Sequence, residues 1–546
     1  LLINIAPAFA QATANDNDAV LKAMNDELTR SVNKLQIKDL DKPYFIEYEL
    51  LDADVYSLTA SFGGVVYSNR NRSRVLSVDV RVGSYDFDNE PMGMPRQMPI
   101  EDDYAAIRHE LWLATDTSYR QAVEQLSRKR AFLRNRVSVE DEKIPDFSKE
   151  EPTVAINARR TIQFNENEWQ QRVREWSAIF RQFPAIKQSG VSFQVQLTHK
   201  YLVNSEGTRI RRPSLLVTLE AYGSAQAADG MWLGHSVPFY ALSIEEMPAP
   251  QQIAAAIKQM AEELTKLQSA PIFAENYVGP VLMTGQASAE MFSQLLAPEL
   301  CSLRAPVGMS SGEDKSELAN RINRIVLPSS FTVFDDPTQQ RVGNQSLIGT
   351  FDVDDQGVPA RRVSLVEQGV LKTLLLSRRP RKDMFRSNGH GRSAAVGYAT
   401  TQIGNLFIQA TQGKSYDELK QELIKMCKAQ SMTYGIIIKH LNSRGGSGLS
   451  DPVLAYKVYV EDGREELIRG ASTGDLTVRQ LRQIEAIGND SFVHNQIEDR
   501  GGMFGGLGVG TTVVAPSVLL EELEMKKPTG MQQKPMLLTH PYFDKP

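Results

Sequence analysis

The sequence predicts an α+β fold in which a mixed α/β N-terminal domain precedes a strand-rich C-terminal domain. Two observations support this. Long amphipathic helical stretches and strand pairs fill the first 245 residues, whereas short strands separated by Gly and Asp turns dominate from residue 278 onward. The helices and strands do not follow a regular βαβ alternation, which argues against a doubly wound sheet. The length of 546 residues is enough for two or more domains.

Elements of the N-terminal domain follow from periodicity. Apolar residues at helical spacing predict the helices, and alternating apolar and polar residues predict the strands. The turn at 204–207 carries Gly207, which can adopt a positive φ, and Pro250 is placed to begin a helix. The predicted helices are 16–35, 101–135, 166–187 and 249–269, and the predicted strands lie within 43–60, 61–84 and 190–225.

The C-terminal half begins with a predicted strand, 278–284, that leads into a helix near 286–297. Short strands follow, and one further helix is predicted at 415–430, where Ser415 and Glu418 have the spacing of a capping box. We therefore expect four segments: 1–10, an N-terminal domain at 16–245, a connector at 246–300 and a strand-rich domain at 301–546.

Composition excludes several classes of protein. The 61 Lys and Arg residues against 66 Asp and Glu give a net charge of -5, which offers no general electrostatic basis for binding nucleic acid or an anionic membrane. No stretch approaches 18 consecutive apolar residues, so no membrane span is expected. Two cysteines cannot form a disulfide framework, and the sequence leaves open whether Cys301 and Cys427 are paired.

The N-terminus predicts export. Residues 1–10, LLINIAPAFA, end in Ala8-Phe9-Ala10, which matches an A-x-A cleavage signature after the end of an apolar signal-peptide region. We expect a mature protein that begins near Gln11 and resides in the periplasm, with secretion as the open alternative. An apolar N-terminus without a targeting role is the other interpretation.

Local metal and phosphate motifs are absent from the sequence. His109-Glu110 lies on a predicted helix, but a zinc site needs a second His at 113 or 114, and Leu113 and Ala114 occupy those positions. The glycine-rich run 501–510 lacks the Lys-Ser/Thr of a phosphate-binding loop. We interpret it as a turn that lines a cavity.

Several ordered motifs are more specific. They comprise Asp335-Asp336-Pro337-Thr338, Gly349-Thr350-Phe351 with Asp354-Asp355-Gln356-Gly357, Val366-Glu367-Gln368-Gly369-Val370-Leu371, Gly404-Asn405-Leu406-Phe407 and, in the N-terminal half, Asn204-Ser205-Glu206-Gly207. In this order they resemble the TldD/PmbA family of metallopeptidases and their non-catalytic partners. The resemblance extends over residues 200–546, and it implies a C-terminal domain of the TldD/PmbA type.

The sequence departs from the catalytic members of that family at the zinc site. Those members carry HExxxH on a helix after a strand, and a distant Cys completes the site. The resemblance places Ala289, Glu290 and Gln294 on the motif, and Phe504 at the position of the Cys. Ala and Phe have no donor atom, and a neutral Gln is a poor zinc ligand. We therefore assign no catalytic residue, no metal ligand and no cofactor, and expect zinc only in a catalytic partner.

The resemblance implies a non-catalytic subunit that forms a hetero-oligomer with a zinc-bearing TldD-like paralogue and contributes to peptide processing. Asn405 and Arg444 are the candidate substrate-binding residues. Two alternatives stay open. The chain could be an active peptidase with a rebuilt site, for instance Glu290 with His390 or His440, or a stand-alone peptide-binding protein.

Overall fold

The structure is a computed structural model. It describes residues 18–91, 93–134, 144–305, 316–442, 448–498, 508–529, 533, 534, 536, 538 and 540–544. The predicted signal-peptide remnant at 1–10 and the predicted site residues Arg444 and Phe504 lie outside the described residues.

The N-terminal domain is one sheet of long antiparallel strands with four helices. Its helices are α1 (Ala19–Lys34), α2 (Tyr104–Arg134), α3 (Glu166–Ala178) and α4 (Pro250–Ser269). Its strands are β1 (Pro43–Ser61), β2 (Gly64–Val82), β3 (Arg96–Gln97), β4 (Val154–Ile156), β5 (Ile186–Asn204), β6 (Arg209–Gln226) and β7 (Trp232–Ala241). The order across the sheet is β3-β2-β1-β5-β6-β4, and β7 also pairs with β6. Phe62 and Gly63, both at positive φ, form the turn between β1 and β2.

All four helices cover one face of this sheet. Strand side chains alternate between faces, and the even-numbered apolar residues of β1 pack under the helices, Tyr48 and Leu50 with α1 and α2, and Tyr56 and Leu58 with α3 and α4. The odd-numbered Glu49 projects from the opposite face and meets the C-terminal domain. The sheet therefore has a largely apolar face under the helices, and the face toward the second domain carries charged residues such as Glu49 together with apolar residues such as Leu51 and Leu202.

The C-terminal domain consists largely of two sheets around a buried helix. Its helices are α5 (Gly285–Leu295) and α6 (Tyr416–Ala429). Its strands are β8 (Tyr277–Met283), β9 (Phe331–Asp335), β10 (Arg341–Val342), β11 (Gln345–Ser346), β12 (Val363–Glu367), β13 (Val370–Leu371), β14 (Gly391–Arg392), β15 (Thr400–Thr401), β16 (Asn405–Ala410), β17 (Tyr434–Leu441), β18 (Pro452–Tyr459), β19 (Glu465–Ile468), β20 (Ser472–Thr473), β21 (Ile484–Ile487), β22 (Phe492–Glu498), β23 (Val509–Ala515) and β24 (Val518–Lys526).

The two larger sheets of this domain have the orders β13-β12-β9-β16-β23-β22 and β19-β18-β17-β8-β24-β20. Most neighbouring strands are antiparallel, whereas β16 with β23 and β17 with β8 are parallel. Helix α5 packs against β17, β22 and β23, strands that come from both sheets. This arrangement confirms the predicted α+β class and positions α5 in the main core of the domain.

The predicted connector, 246–300, divides between the two domains. Helix α4 packs on β6 and β7 of the N-terminal sheet, where Ile257 and Leu264 are completely buried. Strand β8 lies inside the second C-terminal sheet, between β17 and β24. Apolar burial on both sides explains the division, because each segment covers a different core.

Buried ion pairs join the domains. Lys200 Nζ on β5 lies 3.0 Å from Glu49 Oε1 and 3.0 Å from Oδ1 of Asp355, which belongs to the C-terminal domain. Arg212 on β6 lies 2.7 Å from the same Asp355. These side chains satisfy one another's charge, which makes their burial between the domains tolerable.

Several local predictions agree with the elements observed, but the predicted helix 166–187 is wrong at its end, because α3 stops at Ala178 and β5 begins at Ile186. Ser415 and Glu418 form the capping box at the start of α6. Cys301 and Cys427 are both buried, and no disulfide joins them. Within the described part of the chain, none of the helices has the length and apolar character needed to cross a membrane.

Candidate functional site

A cavity of about 660 Å³ lies between the two domains. Strand β7 and helix α4 line it from the N-terminal domain, and α5, β17, β18 and β22 line it from the C-terminal domain. The volume is within the range of small-molecule sites. Its charged and imidazole groups include His235, Glu263, Lys439, His440 and His494.

Helix α5, where the resemblance places the degenerate zinc motif, is fixed at its start by the segment after β23. The Gly285 N–H donates to Ser517 Oγ at 2.8 Å, and Ser288 Oγ donates to the Pro516 carbonyl at 2.6 Å. The neighbouring Ala289 is completely buried in the apolar core. The helix is therefore anchored by contacts that leave little room for a larger side chain at position 289.

Glu290 is buried, and both of its carboxylate oxygens are engaged. Oε2 accepts the Leu441 backbone N–H at 2.7 Å, and Oε1 accepts Gln286 Nε2 at 2.9 Å. His440 Nε2 lies 3.2 Å from Oε1. The carboxylate thus connects α5 to the end of β17, where Leu441 and His440 lie.

Gln294 is also engaged, since its Oε1 accepts the Ser450 backbone N–H at 2.8 Å. Ala289 offers no donor, so the positions that correspond to the two histidines do not fit a zinc ion. Across the described ranges, no group of three or more His, Cys, Asp or Glu side chains is placed to hold a metal ion. Phe504, the remaining position, lies outside those ranges.

Two histidine–carboxylate pairs face each other across the domain junction. His235 Nε2 on β7 lies 3.0 Å from Glu263 Oε2 on α4, and His440 Nε2 on β17 lies 3.2 Å from Glu290 Oε1 on α5. The ring centroids of the two histidines are 5.0 Å apart. Burial lowers the pKa of His235, although its bond to Glu263 opposes this effect. Burial raises the pKa of Glu263, but hydrogen bonds from His235 and Gln259 outweigh it and leave that pKa below its ordinary value. A neutral His235 ring that donates a hydrogen bond to an ionised Glu263 carboxylate accounts for the lowered pKa of both groups.

A third imidazole, His494 on β22, lines the same cavity. Its Nε2 lies 3.2 Å from Gln496 Oε1, and Gln496 Nε2 donates to Ser293 Oγ of α5 at 2.5 Å. Burial lowers the pKa of His494, which favours the neutral ring, even though Glu290 acts in the other direction.

The structure brings together one of the two pairs proposed for a rebuilt site. Glu290 contacts His440, as described above. His390 is completely buried and instead pairs with Asp335, with 3.1 Å between Nε2 and Oδ1. Gly404 N–H also donates to Asp335, at 3.0 Å, so His390 belongs to the packing around β9 and β16.

Asn405 is completely buried, and its amide nitrogen donates to the Gln339 carbonyl at 2.8 Å and the Asp336 carbonyl at 3.3 Å. It is not among the residues that line the cavity. Its role as a substrate-binding residue stays a prediction, as does that of Arg444, which lies outside the described residues.

Sequence reasoning missed His235, Glu263 and His494. These residues lie on β7, α4 and β22, so the chain separation between them exceeds any local motif. Strand β7 was not predicted, and without it nothing in the sequence brings His235 toward His440.

Comparison with known proteins identifies the C-terminal domain. Residues 276–527 match the family model of the PmbA/TldA metallopeptidase C-terminal domain. This domain belongs to the TldD/PmbA family. The match begins just before β8 and ends just after β24, so it contains all of the C-terminal strands and both helices α5 and α6.

Curated relatives support the same family. The chain is 31% identical over 176 residues to a metalloprotease of Archaeoglobus fulgidus, covering 31% of this chain and 37% of the relative. It is 22% identical over 312 residues to a metalloprotease of Methanothermobacter thermautotrophicus, covering 55% of this chain and 62% of the relative. The chain thus spans less than two thirds of the length of either protein.

Solved structures extend the likeness to nearly the whole chain, at the level of fold. TldE from Thermococcus kodakarensis aligns with a TM-score of 0.58 and 13% identity over 92% of this chain and 99% of that one. A Thermotoga maritima protein described as a candidate modulator of a DNA gyrase aligns with a TM-score of 0.60 and 17% identity over 92% and 99%. The fold of nearly the whole chain is therefore one that these two proteins share.

Proposed function

We propose that this chain is a non-catalytic member of the TldD/PmbA family that pairs with a zinc-bearing TldD-like paralogue and contributes to peptide processing. The observation that carries the proposal is the state of α5. One ligand position is Ala289, Gln294 accepts a backbone N–H, and Glu290 is bound on both oxygens.

The side chains on α5 differ from those that zinc-dependent hydrolysis requires. A hydrolytic zinc needs about three protein ligands and an open position for water. A glutamate that activates that water must have a free oxygen directed at it. Glu290 instead accepts hydrogen bonds from Leu441 and Gln286, so its role in this chain is to hold α5 against β17.

The proposed partner and substrate rest on two kinds of support. The fold likeness to a TldE protein favours pairing with a TldD-like chain. The cavity favours a peptide, because its walls combine aromatic side chains, such as Tyr240 and Tyr456, with exposed amide side chains that can pair with a peptide backbone, such as Asn344 and Gln345.

A reconstitution experiment tests the proposal. The chain is purified alone, mixed with the zinc-bearing paralogue from the same genome, and examined for complex formation and peptide cleavage. We expect a stable hetero-oligomer, no cleavage by the chain alone, and greater cleavage by the complex than by the paralogue alone. A chain that stays monomeric in the mixture yet binds peptides would instead support a stand-alone binding protein.

The contact between Glu290 and His440 favours one alternative, the rebuilt peptidase. Its signature is cleavage by the isolated chain that is lost in Glu290→Gln. The exposed-helix variant His109→Ala is the matched control, since His109 lies on α2 and is not among the residues lining the cavity.

We also propose that the protein is exported, because residues 1–10 end in an A-x-A signature. N-terminal sequencing of the protein from native cells tests this. A start near Gln11 supports export, and an intact LLINIAPAFA segment would contradict it.

A further inference from the structure

The imidazole groups of His235 and His440 each have one nitrogen unaccounted for by the proposed function. Both histidines are more than nine-tenths buried, with relative exposures of 9% and 8%. In each ring Nε2 lies beside a carboxylate, and in each ring Nδ1 is buried without a hydrogen-bond partner. An unpaired buried polar atom is costly, and here two such atoms lie on neighbouring rings.

This arrangement matches the outer shell of a metal site. Histidines that bind metals usually donate their other ring N–H to a carboxylate, which fixes the tautomer and leaves a lone pair on the ligating nitrogen. Glu263 and Glu290 are placed to accept from Nε2, at 3.0 Å and 3.2 Å. Each Nδ1 then carries the free lone pair in the neutral ring.

The separation of the rings also fits one shared ion. For a metal–nitrogen distance of about 2.0–2.1 Å and a tetrahedral angle, two ring centres around one ion lie about 5 Å apart. The centroids of His235 and His440 are 5.0 Å apart, with 51° between the ring planes. The two carboxylates would balance the charge of a divalent ion, and both histidines line the cavity.

We propose that His235 and His440 bind one divalent transition-metal ion between the two domains, with Glu263 and Glu290 as the carboxylates that orient the rings. Imidazole ligands favour Zn²⁺, Cu²⁺, Ni²⁺ and Fe²⁺ over Mg²⁺ or Ca²⁺. Two protein ligands are fewer than a hydrolytic zinc requires, so we assign this ion a structural role in joining the two domains. The proposal does not depend on the proposed function.

The ligands come from different domains, and this has a mechanical consequence. His235 is on β7 of the N-terminal sheet, and His440 is on β17 of the C-terminal domain. Binding of an ion to both rings stabilises the docked arrangement by mass action. The ion would therefore add to the contacts that hold the two walls of the cavity together.

Titration of the tag-free full chain with Co²⁺ tests the proposal, with visible absorption as the readout of nitrogen ligation and Mg²⁺ as the negative ion. We expect one Co²⁺ per chain, displacement by Zn²⁺, and at least tenfold weaker binding in His235→Asn and in His440→Asn. His109→Ala, which changes an exposed histidine on α2, should bind as the unmodified chain does.

The unmodified chain alone can overturn the proposal. Absence of saturable Co²⁺ binding, or a spectrum without nitrogen ligands, would do so whether or not the variants fold. Undiminished binding in both folded variants would do so as well. Peptide cleavage is not a readout here, so failure of this site leaves the non-catalytic proposal untouched, and the reverse also holds.

Discussion

Replacing Glu290 with Gln separates a structural role from a catalytic one. The carboxylate accepts the Leu441 backbone N–H and Gln286 Nε2, and His440 Nε2 lies beside it. An amide of the same shape has one acceptor oxygen and one NH₂ group. Whichever way it turns, at least one of these donors meets another donor and loses its partner.

The cost follows from these contacts. A hydrogen bond to a charged group contributes about 1.5–3 kcal/mol, and an unsatisfied buried donor costs a similar amount. We expect Glu290→Gln to destabilise the C-terminal domain by about 2 kcal/mol. For a unit of 150–250 residues this corresponds to a decrease in Tm of roughly 4–8 °C, measurable by differential scanning calorimetry.

The control is Glu263→Gln, which changes a carboxylate of the same cavity that is 26% exposed in its side chain. Its cost should stay below about 1 kcal/mol, as for other partly exposed pairs. An unchanged or raised Tm in Glu290→Gln would refute the structural role, because active-site carboxylates are often held at the expense of stability.

Three further results are expected. Asp355→Asn should destabilise domain docking by about 3 kcal/mol, because it removes a buried negative charge that balances Lys200 and Arg212 at the domain junction, whereas the exposed Asp352→Asn should not change the unfolding midpoint in urea. Burial raises the pKa of Glu47 to about 8, so the folded state retains a proton that the unfolded chain releases above its ordinary pKa. Stability should therefore fall as pH rises toward 8, by about 1.4 kcal/mol per pH unit, and Glu47→Gln should flatten that dependence in thermal melts; equal slopes would contradict this. Combined Ala289→His and Gln294→His should lower Tm through overpacking of a filled core and leave the isolated chain without peptidase activity, which a fluorogenic peptide assay would reveal.

Many of the helices and strands could be predicted from local patterns in the sequence. The capping box at Ser415, the helical periodicity of α4 and the alternation in β1 and β2 all depend on neighbours within a few residues, and each element appears where it was predicted. The α+β fold class was also predictable, because it depends on which helices and strands form and not on how the strands pair.

The candidate site was less predictable because long-range pairing creates it. Glu290 was singled out from the sequence, yet its bonds to the end of β17 join residues about 150 positions apart. The contact between His235 and His440 depends on how two domains dock. No local pattern encodes such a contact. Local pattern likewise could not show that Asn405 packs beside β16 and is not among the residues that line the cavity.

The charged side chains on the domain-facing side of the N-terminal sheet affect how the two domains dock. Apolar surfaces tolerate sliding, because any apolar neighbour is nearly as good as another. Ion pairs such as Lys200 with Glu49 and Asp355 do not, since a shift by one strand position would bury unmatched charges. These ion pairs therefore favour one position of the C-terminal domain on the N-terminal sheet. They constrain how the two domains dock, and the cavity between β7 and β17 depends on that docking.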